Sequence, residues 1–325
     1  MAEYKGIKGF KVQYLSADPS NPIIGQTWYN STSKNLKYTG ATAAASWATG
    51  GNMGTARYGL AGAGLQTAGL AFGGESPPRT GATEEYDGST WTSNPTGLNT
   101  VRSALAGAGT QTAALAFGGE IPGVTGATEE YDGSTWTSNP TGLNTARNQL
   151  AGAGTQTAAL GFGGFIAAPT TATEEYNGST WTSNPTGLNT GRRTLAGCGT
   201  QTAALAFGGL VPPNTGATEE YNGSTWASNP TGLNTVRASL GGAGTQTAAL
   251  GFGGYSTSNQ NATEEYDGST WTTSPASLGT SRRSLAGAGT QLSALAFGGN
   301  VTASTAATEE WTGAGAPLTK TVTVS

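Results

Sequence analysis

Histidine is absent from the sequence, cysteine occurs once and methionine twice. Without histidine the commonest general base and metal ligand is missing. The lone Cys198 excludes an internal disulfide framework and a thiolate zinc site. Charge is scarce as well, at 10% of residues, where ordinary domains carry about 25%. The 15 basic and 19 acidic side chains give a formal net charge of −4, and the cations are scattered. That balance argues against a nucleic-acid partner. No apolar run approaches the ~18 residues of a membrane span. The N-terminal stretch MAEYKGIKGF lacks the apolar core of a signal peptide. Glycine, by contrast, is abundant, with 53 residues in 325 and no three-residue period, which excludes collagen. A glycine-rich, weakly charged chain can be disordered, and periodicity is the test.

The period is 45 residues. Gly73, Gly118, Gly163, Gly208, Gly253 and Gly298 each open a Gly-Gly pair after Phe. Arg57, Arg102, Arg147, Arg192, Arg237 and Arg282 keep the same step, as do Trp91, Trp136, Trp181, Trp226 and Trp271. Tyr86, Tyr131, Tyr176, Tyr221 and Tyr266 follow it, with Trp311 in the sixth slot, and Gln66 through Gln291 supply six more. Disorder needs no such regularity. Within one unit no stretch sustains a 3.6-residue period, so short strands bounded by turn residues are predicted. In the second copy they fall at 104–109, 112–119, 127–131 and from Trp136 onward. Asp132-Gly133, or Asn-Gly in other copies, marks a tight hairpin between the last two. Four short strands with short connections fill the unit and fit one four-stranded propeller blade.

These marks resemble the kelch repeat. An apolar run ends in Gly-Gly, Tyr131 stands 12 residues after Gly119, Trp136 follows 5 later, and an Arg comes after the last strand. The resemblance spans roughly residues 42–314. It implies an all-β, six-bladed, kelch-like β-propeller with four-stranded blades. Small residues such as Ala106 to Gly109 suit the crowded axis, while Leu115, Phe117, Tyr131 and Trp136 are expected to fill the gaps between blades. Trp47 precedes Arg57 by 10 residues where later copies have 11. Residues 44–50 therefore read as a fourth strand with no first three before it. The expected closure has this N-terminal outer strand complete the last blade. The rival is the alternating tail LTKTVTVS, 318–325.

Three segments follow: 1–41, a propeller at 42–314, and a tail strand at 315–325. Within the first, a β-hairpin is expected, with strands at 26–29 and 35–39 around a turn at 30–34. The motif G-x-x-W-Y-N-S-T-S-x-x-L-K in this hairpin resembles a short module near the N-termini of bacteriophage tail and other virion proteins. That resemblance implies an anchor to virion proteins through residues 1–41. It also implies a protein of the phage particle, made in the host cytoplasm and without membrane insertion.

Compared copy with copy, most loops barely change, but two sets do. One is the seven residues after Gly-Gly, which contain Pro77, Arg79, Ile121, Val124, Phe165, Ile166, Pro169, Leu210, Val211, Asn214, Tyr255, Asn259 and Val301. The other follows the periodic Arg: Tyr58-Gly59, Ser103-Ala104, Asn148-Gln149, Arg193-Thr194, Ala238-Ser239 and Arg283-Ser284. Alternating strand direction places both sets on one face, which reads as a recognition surface for a host-surface glycan or protein. Tyr58, Arg193 and Arg283 join the first set as candidate binding residues.

The paired glutamates, 84/85 through 309/310, point to opposite sides of a strand and cannot chelate as a unit. One of each pair is expected to brace the periodic Arg, which weakens the competing idea of an anion-binding Arg ring at the pore. Cys198 stands in an Ala slot and reads as a buried small residue. No catalytic residue, metal or cofactor is expected. A galactose-oxidase-like copper site needs His. A sialidase Asp box ends in D-x-G-x-T-W, whereas Asp87 here adjoins Gly88. The remaining readings are a capsid-decoration or tail subunit that binds only virion proteins, and an intracellular kelch scaffold.

Overall fold

The computed structural model describes residues 12–19, 26–41, 44–315 and 317–321. The chain forms two compact units, residues 47–311 and residues 1–46 together with 312–325. Among the described residues there is no helix.

The larger unit consists of four-stranded antiparallel sheets, six in all, in a β-propeller-like arrangement. One sheet comprises Ala106–Gly109, Ala114–Phe117, Thr128–Tyr131 and Trp136–Asn139. Each strand pairs with the next in the chain. The first strand begins two residues later than the sequence suggests, because Ala104 has φ 53° and cannot extend a strand. The second also starts late, since Thr110 N–H bonds to the Ala113 carbonyl in a turn. In the sixth sheet Ala286–Gly289, Ser293–Phe297 and Thr308–Thr312 are followed by Ser46–Thr49 at the outer edge.

The innermost strand is small for a steric reason. A Cβ on Gly107 would lie 2.6 Å from the Phe72 ring and 2.9 Å from the Gly62 carbonyl oxygen of the preceding sheet. Beyond it, Leu115 and Phe117 are fully buried. The Phe117 ring meets Trp181 of the following sheet at 4.8 Å, and Trp181 in turn meets Tyr176 at 5.0 Å. Gly118, the first of the Gly-Gly pair, has φ 65°, and a Cβ there would strike the Arg147 carbonyl at 2.8 Å.

Three hydrogen-bond series run from sheet to sheet. The first lies in the backbone. Ala104 N–H donates to Gly59, Gln149 to Ala104, Thr194 to Gln149, Ser239 to Thr194, Ser284 to Ser239 and Gly59 to Ser284, at 2.7–2.9 Å. The series returns to its first residue. All six residues have φ between 51° and 60°, yet only Gly59 is glycine. Left-handed backbone costs the other five about 1–3 kcal/mol each, and the cyclic bonds offset that strain.

The second series explains the periodic Gln. Gln156 Nε2 donates to the carbonyls of Ala114 at 3.1 Å and Tyr131 at 2.6 Å, both in the preceding sheet. Gln66 does the same to Ala294 and Trp311, across the junction of the first and sixth sheets.

In the third, the fourth-strand Trp Nε1 of each sheet donates to a Thr hydroxyl of the preceding sheet, as Trp181 does to Thr128 at 2.9 Å. Trp91 reaches Thr308, and Trp47 reaches Thr263, each at 2.9 Å. Trp47 thus fills the role that the repeat gives to Trp91, Trp136, Trp181, Trp226 and Trp271.

The smaller unit is a sheet in the order Gln13–Leu15, Thr27–Asn30, Asn35–Ala41, Pro317–Thr321. The first pair is parallel and the others antiparallel. The tail strand pairs here, with Thr319 opposite Thr39, and not in the sixth sheet. Residues 1–11 and 20–25 of the expected N-terminal segment lie outside the described residues.

Candidate recognition face

The two variable sets meet residue by residue. The residue after each periodic Arg forms a bridge with the first loop residue after Gly-Gly: Tyr58 with Glu75, Ser103 with Glu120, Asn148 with Phe165, Arg193 with Leu210, Ala238 with Tyr255, and Arg283 with Asn300. Each loop then folds back on itself, pairing its first and fifth residues, as Glu75 does with Arg79 and Tyr255 with Asn259. In three copies the fifth residue also reaches the next loop. Asn214 Nδ2 donates to the Tyr255 carbonyl at 2.9 Å, and Asn259 Nδ2 to that of Val301 at 2.7 Å. Arg79 pairs with Glu120 at 2.6 Å and donates to Ser103 at 3.0 Å. Short connections and lateral bonds therefore hold these loops in one arrangement.

Within the face the expected binding residues divide. Pro77, Ile166 and Val301 are exposed at loop tips. Tyr58, Arg79, Ile121, Val124, Phe165, Pro169, Leu210, Val211, Asn214, Tyr255, Asn259, Arg193 and Arg283 are half-buried. Of these, Arg79, Asn214 and Asn259 spend polar groups on neighbouring loops. Glu75 and Glu120, not singled out from the sequence, are the acidic groups of the face. Their signal was their place as first loop residue in two copies only.

The periodic arginines lie elsewhere. Arg57, Arg102, Arg147, Arg192, Arg237 and Arg282 are all fully buried. Each pairs with the first glutamate of a Glu-Glu pair, as Arg57 does with Glu84 at 2.8 Å and Arg192 with Glu219 at 3.1 Å. Burial lowers their pKa, and the adjacent carboxylate acts against that shift. An anion-binding ring made from these residues is thereby excluded, because none reaches solvent.

The second glutamate of each pair takes a different partner. Glu85 accepts from the Tyr131 hydroxyl of the next sheet, and Asn94 Nδ2 donates to that hydroxyl at 2.6 Å. Burial and the carboxylate together raise the tyrosine pKa. Glu265 finds no Tyr in that slot of the next sheet, where the sequence has Trp311. It takes a hydrogen bond from Ser274 instead, and burial raises its pKa. Cys198 is buried, and desolvation pushes its thiol up to about 12.

Two cavities open among the variable residues. One, of about 240 Å³, is lined by the residues of the backbone cycle and the buried leucines beside them, including Leu105 and Leu150. The second, of about 530 Å³, is lined by Gln149, Arg193, Asn214, Ser239, Tyr255 and Arg283 among others. Arg193 lies over the Phe165 ring at 4.4 Å and Arg283 over the Tyr255 ring at 4.8 Å.

The turns between first and second strands and between third and fourth strands emerge at the opposite ends of those strands. Here Asp87, Asp132 and Asp267 each cap a turn through the N–H groups of the second and third residues onward. Those bonds lower each carboxyl to about 2. Asn177 and Asn222 make the same caps.

In the smaller unit the Trp-Tyr-Asn-Ser-Thr-Ser stretch of the hairpin has a local explanation. Trp28, Asn30 and Lys37 converge on Asp18, at 3.0, 2.7 and 2.6 Å. Asn30 Oδ1 also accepts the N–H groups of Thr32 and Ser33, which fixes the hairpin turn. The three donors hold the Asp18 carboxyl at about 2.

No family model matches the chain, and no curated protein matches it in sequence.

Proposed function

We propose that the larger unit is a closed, six-bladed, kelch-type propeller, and that the protein is a non-enzymatic binding protein. The complete backbone cycle, and Trp47 in the slot of the repeat's Trp, support closure by the N-terminal outer strand. One observation carries the functional reading. The two variable sets pair with each other on one face, and their loops are laced together before any ligand arrives. A pre-ordered surface binds with less entropy loss than a mobile one. Sequence variation confined to such a surface fits recognition. The partner is a component of a host surface, and the N-terminal segment mounts the protein on a virion. That mounting rests on the resemblance of residues 25–37 to virion modules.

The test exchanges loops 165–171 and 210–216 for the 300–306 sequence in the full chain. Attachment to host cells is expected to fall by about tenfold or more, because a few central residues dominate interface energy. Unchanged attachment would overturn the face assignment. Full incorporation into particles after deletion of residues 1–41 would overturn the anchor.

A further inference from the structure

Charge is unevenly settled on the variable face. In the sector of the first three sheets every charged group has a partner. Arg79 pairs with Glu120, Asn148 Nδ2 donates to the other Glu120 oxygen at 2.9 Å, and Glu75 bonds the Tyr58 hydroxyl. In the sector of the last three sheets two guanidiniums, Arg193 and Arg283, line one cavity whose lining holds no carboxylate, and neither makes an ion pair among the described residues. Each is stacked on an aromatic face from the preceding loop. A guanidinium held over a ring by cation–π attraction keeps its N–H donors available to a ligand.

A second observation concerns unmet hydrogen bonds. Arg193 Nε is buried without a partner, and so is Gln149 Oε1. Both residues line the same cavity. Buried polar groups are normally paired, and an unpaired one costs free energy until a partner arrives. The two groups ask for complementary things. The guanidiniums require an anionic oxygen, preferably in a planar, bidentate form. The Gln149 oxygen requires a hydroxyl or N–H donor. Ser239, Ser284 and Asn214 add short polar side chains around the same space.

We infer that this cavity binds an acidic saccharide, its carboxylate or sulfate held by Arg193 and Arg283 and a hydroxyl donated to Gln149. The inference rests on the proposed role of the variable face in recognition and names the chemistry of its ligand. A volume of about 530 Å³ falls in the range of small-molecule sites, about 300–1,000 Å³. No bond is made or broken.

The full-length protein is titrated by calorimetry, in low salt, with three probes: tetragalacturonate, its methyl ester, and a sulfated galactan oligosaccharide. Either acidic probe, or both, binds, and the neutral ester does not. Binding of tetragalacturonate alone identifies a carboxylate site, and binding of the sulfated probe alone a sulfate site. R193A and R283A each weaken the interaction by about tenfold, the loss of a charge-assisted bond. R193K retains part of it, because it keeps the charge without the planar fork. Q149A weakens binding of the acid without altering its salt dependence. Equal affinity for acid and ester, no binding of either acidic probe, or full affinity in both Arg variants would overturn the inference. Host-cell attachment separates the two readings. If loop exchange abolishes attachment while R193A and R283A attach normally, the recognition face stands and its acidic ligand falls. If neither change affects attachment, both fall.

Discussion

Arg192 and Arg193 are adjacent in the chain and occupy opposite environments. Arg192 is fully buried, paired with Glu219, and donates to the Ala217 carbonyl at 2.5 Å and the Ala206 carbonyl at 3.2 Å. Arg193 is half-buried, makes no ion pair among the described residues, and lies over Phe165. Arg282 and Arg283 repeat the contrast. The same side chain therefore does two jobs, and what separates them is which groups lie within reach. In every copy the first position is Arg, because its neighbours, the Glu and the carbonyls, are also repeated. The second position is Tyr, Ser, Asn, Arg, Ala or Arg. It faces a first loop residue that changes with it: Asn148 meets Glu120, while Arg193 and Arg283 meet aromatic rings.

The sharpest way to break this comparison is to remove each arginine in turn. R192A leaves Glu219 buried without its cation, and breaking such a pair costs about 3–5 kcal/mol. R193A removes a half-exposed side chain whose ring contact is worth about 0.5–1 kcal/mol. Urea unfolding of the two variants should differ accordingly. The pair itself is a different matter. Arg192 Nε and Glu219 Oε1 are both buried without a hydrogen-bond partner. The double variant R192M/E219Q removes the charges together and should recover at least half of the R192A loss. Equal destabilisation by R192A and R193A would mean that the interior pair is not a structural brace.

A smaller effect separates bonds within a sheet from bonds between sheets. Gln156 lies in a turn, yet its amide serves two carbonyls of the preceding sheet. Q156A leaves both carbonyls without this donor, at a cost of about 1–3 kcal/mol. Q66A, at the junction of the first and sixth sheets, should cost a similar amount. If Q66A were silent while Q156A destabilised, that junction would be weaker than the others, and the proposed ring would open there first.

Much of this was legible in the sequence. The 45-residue step, the four strands, the Trp47 match and the Arg–Glu brace all follow from residues that recur at fixed spacing. The Gln position recurs as clearly, but periodicity names a position and not its partner. The carbonyls it serves lie 42 and 25 residues earlier, in another sheet. The Tyr–Glu bonds between sheets were hidden for the same reason. The backbone cycle left a weaker trace. Ala104, Gln149, Thr194, Ser239 and Ser284 share a left-handed conformation that only Gly59 advertises by residue type. On the candidate face, the sequence marked which loops vary. It could not mark which charges find partners, since Arg79 and Arg193 are equal as letters and differ only in whether Glu120 is near.

The smallest predicted effect concerns the opposite face, where the repeat supplies its own controls. Three turns are capped by Asp87, Asp132 and Asp267, and two by Asn177 and Asn222. The caps share geometry and differ in charge. Each Asp carboxyl is held near 2, below its ordinary 3.8, by the backbone and hydroxyl donors of the turn. A carboxyl whose pKa is lowered on folding contributes stability that is complete above about pH 4. That contribution declines as pH falls through about 2, where the folded carboxyl takes up its proton. The Asn caps cannot titrate in this window. In the triple variant D87N/D132N/D267N the melting temperature at pH 7 should change little, because Asn already serves at the same position. Between pH 4 and pH 2 the variant should lose less than the parent chain. The groups are fully exposed, so the difference should shrink in high salt. The Glu219 class of buried carboxylates is present in both proteins and cancels from the comparison. Identical acid melting curves would show that the Asp caps hold their turns no better when charged than the Asn caps do.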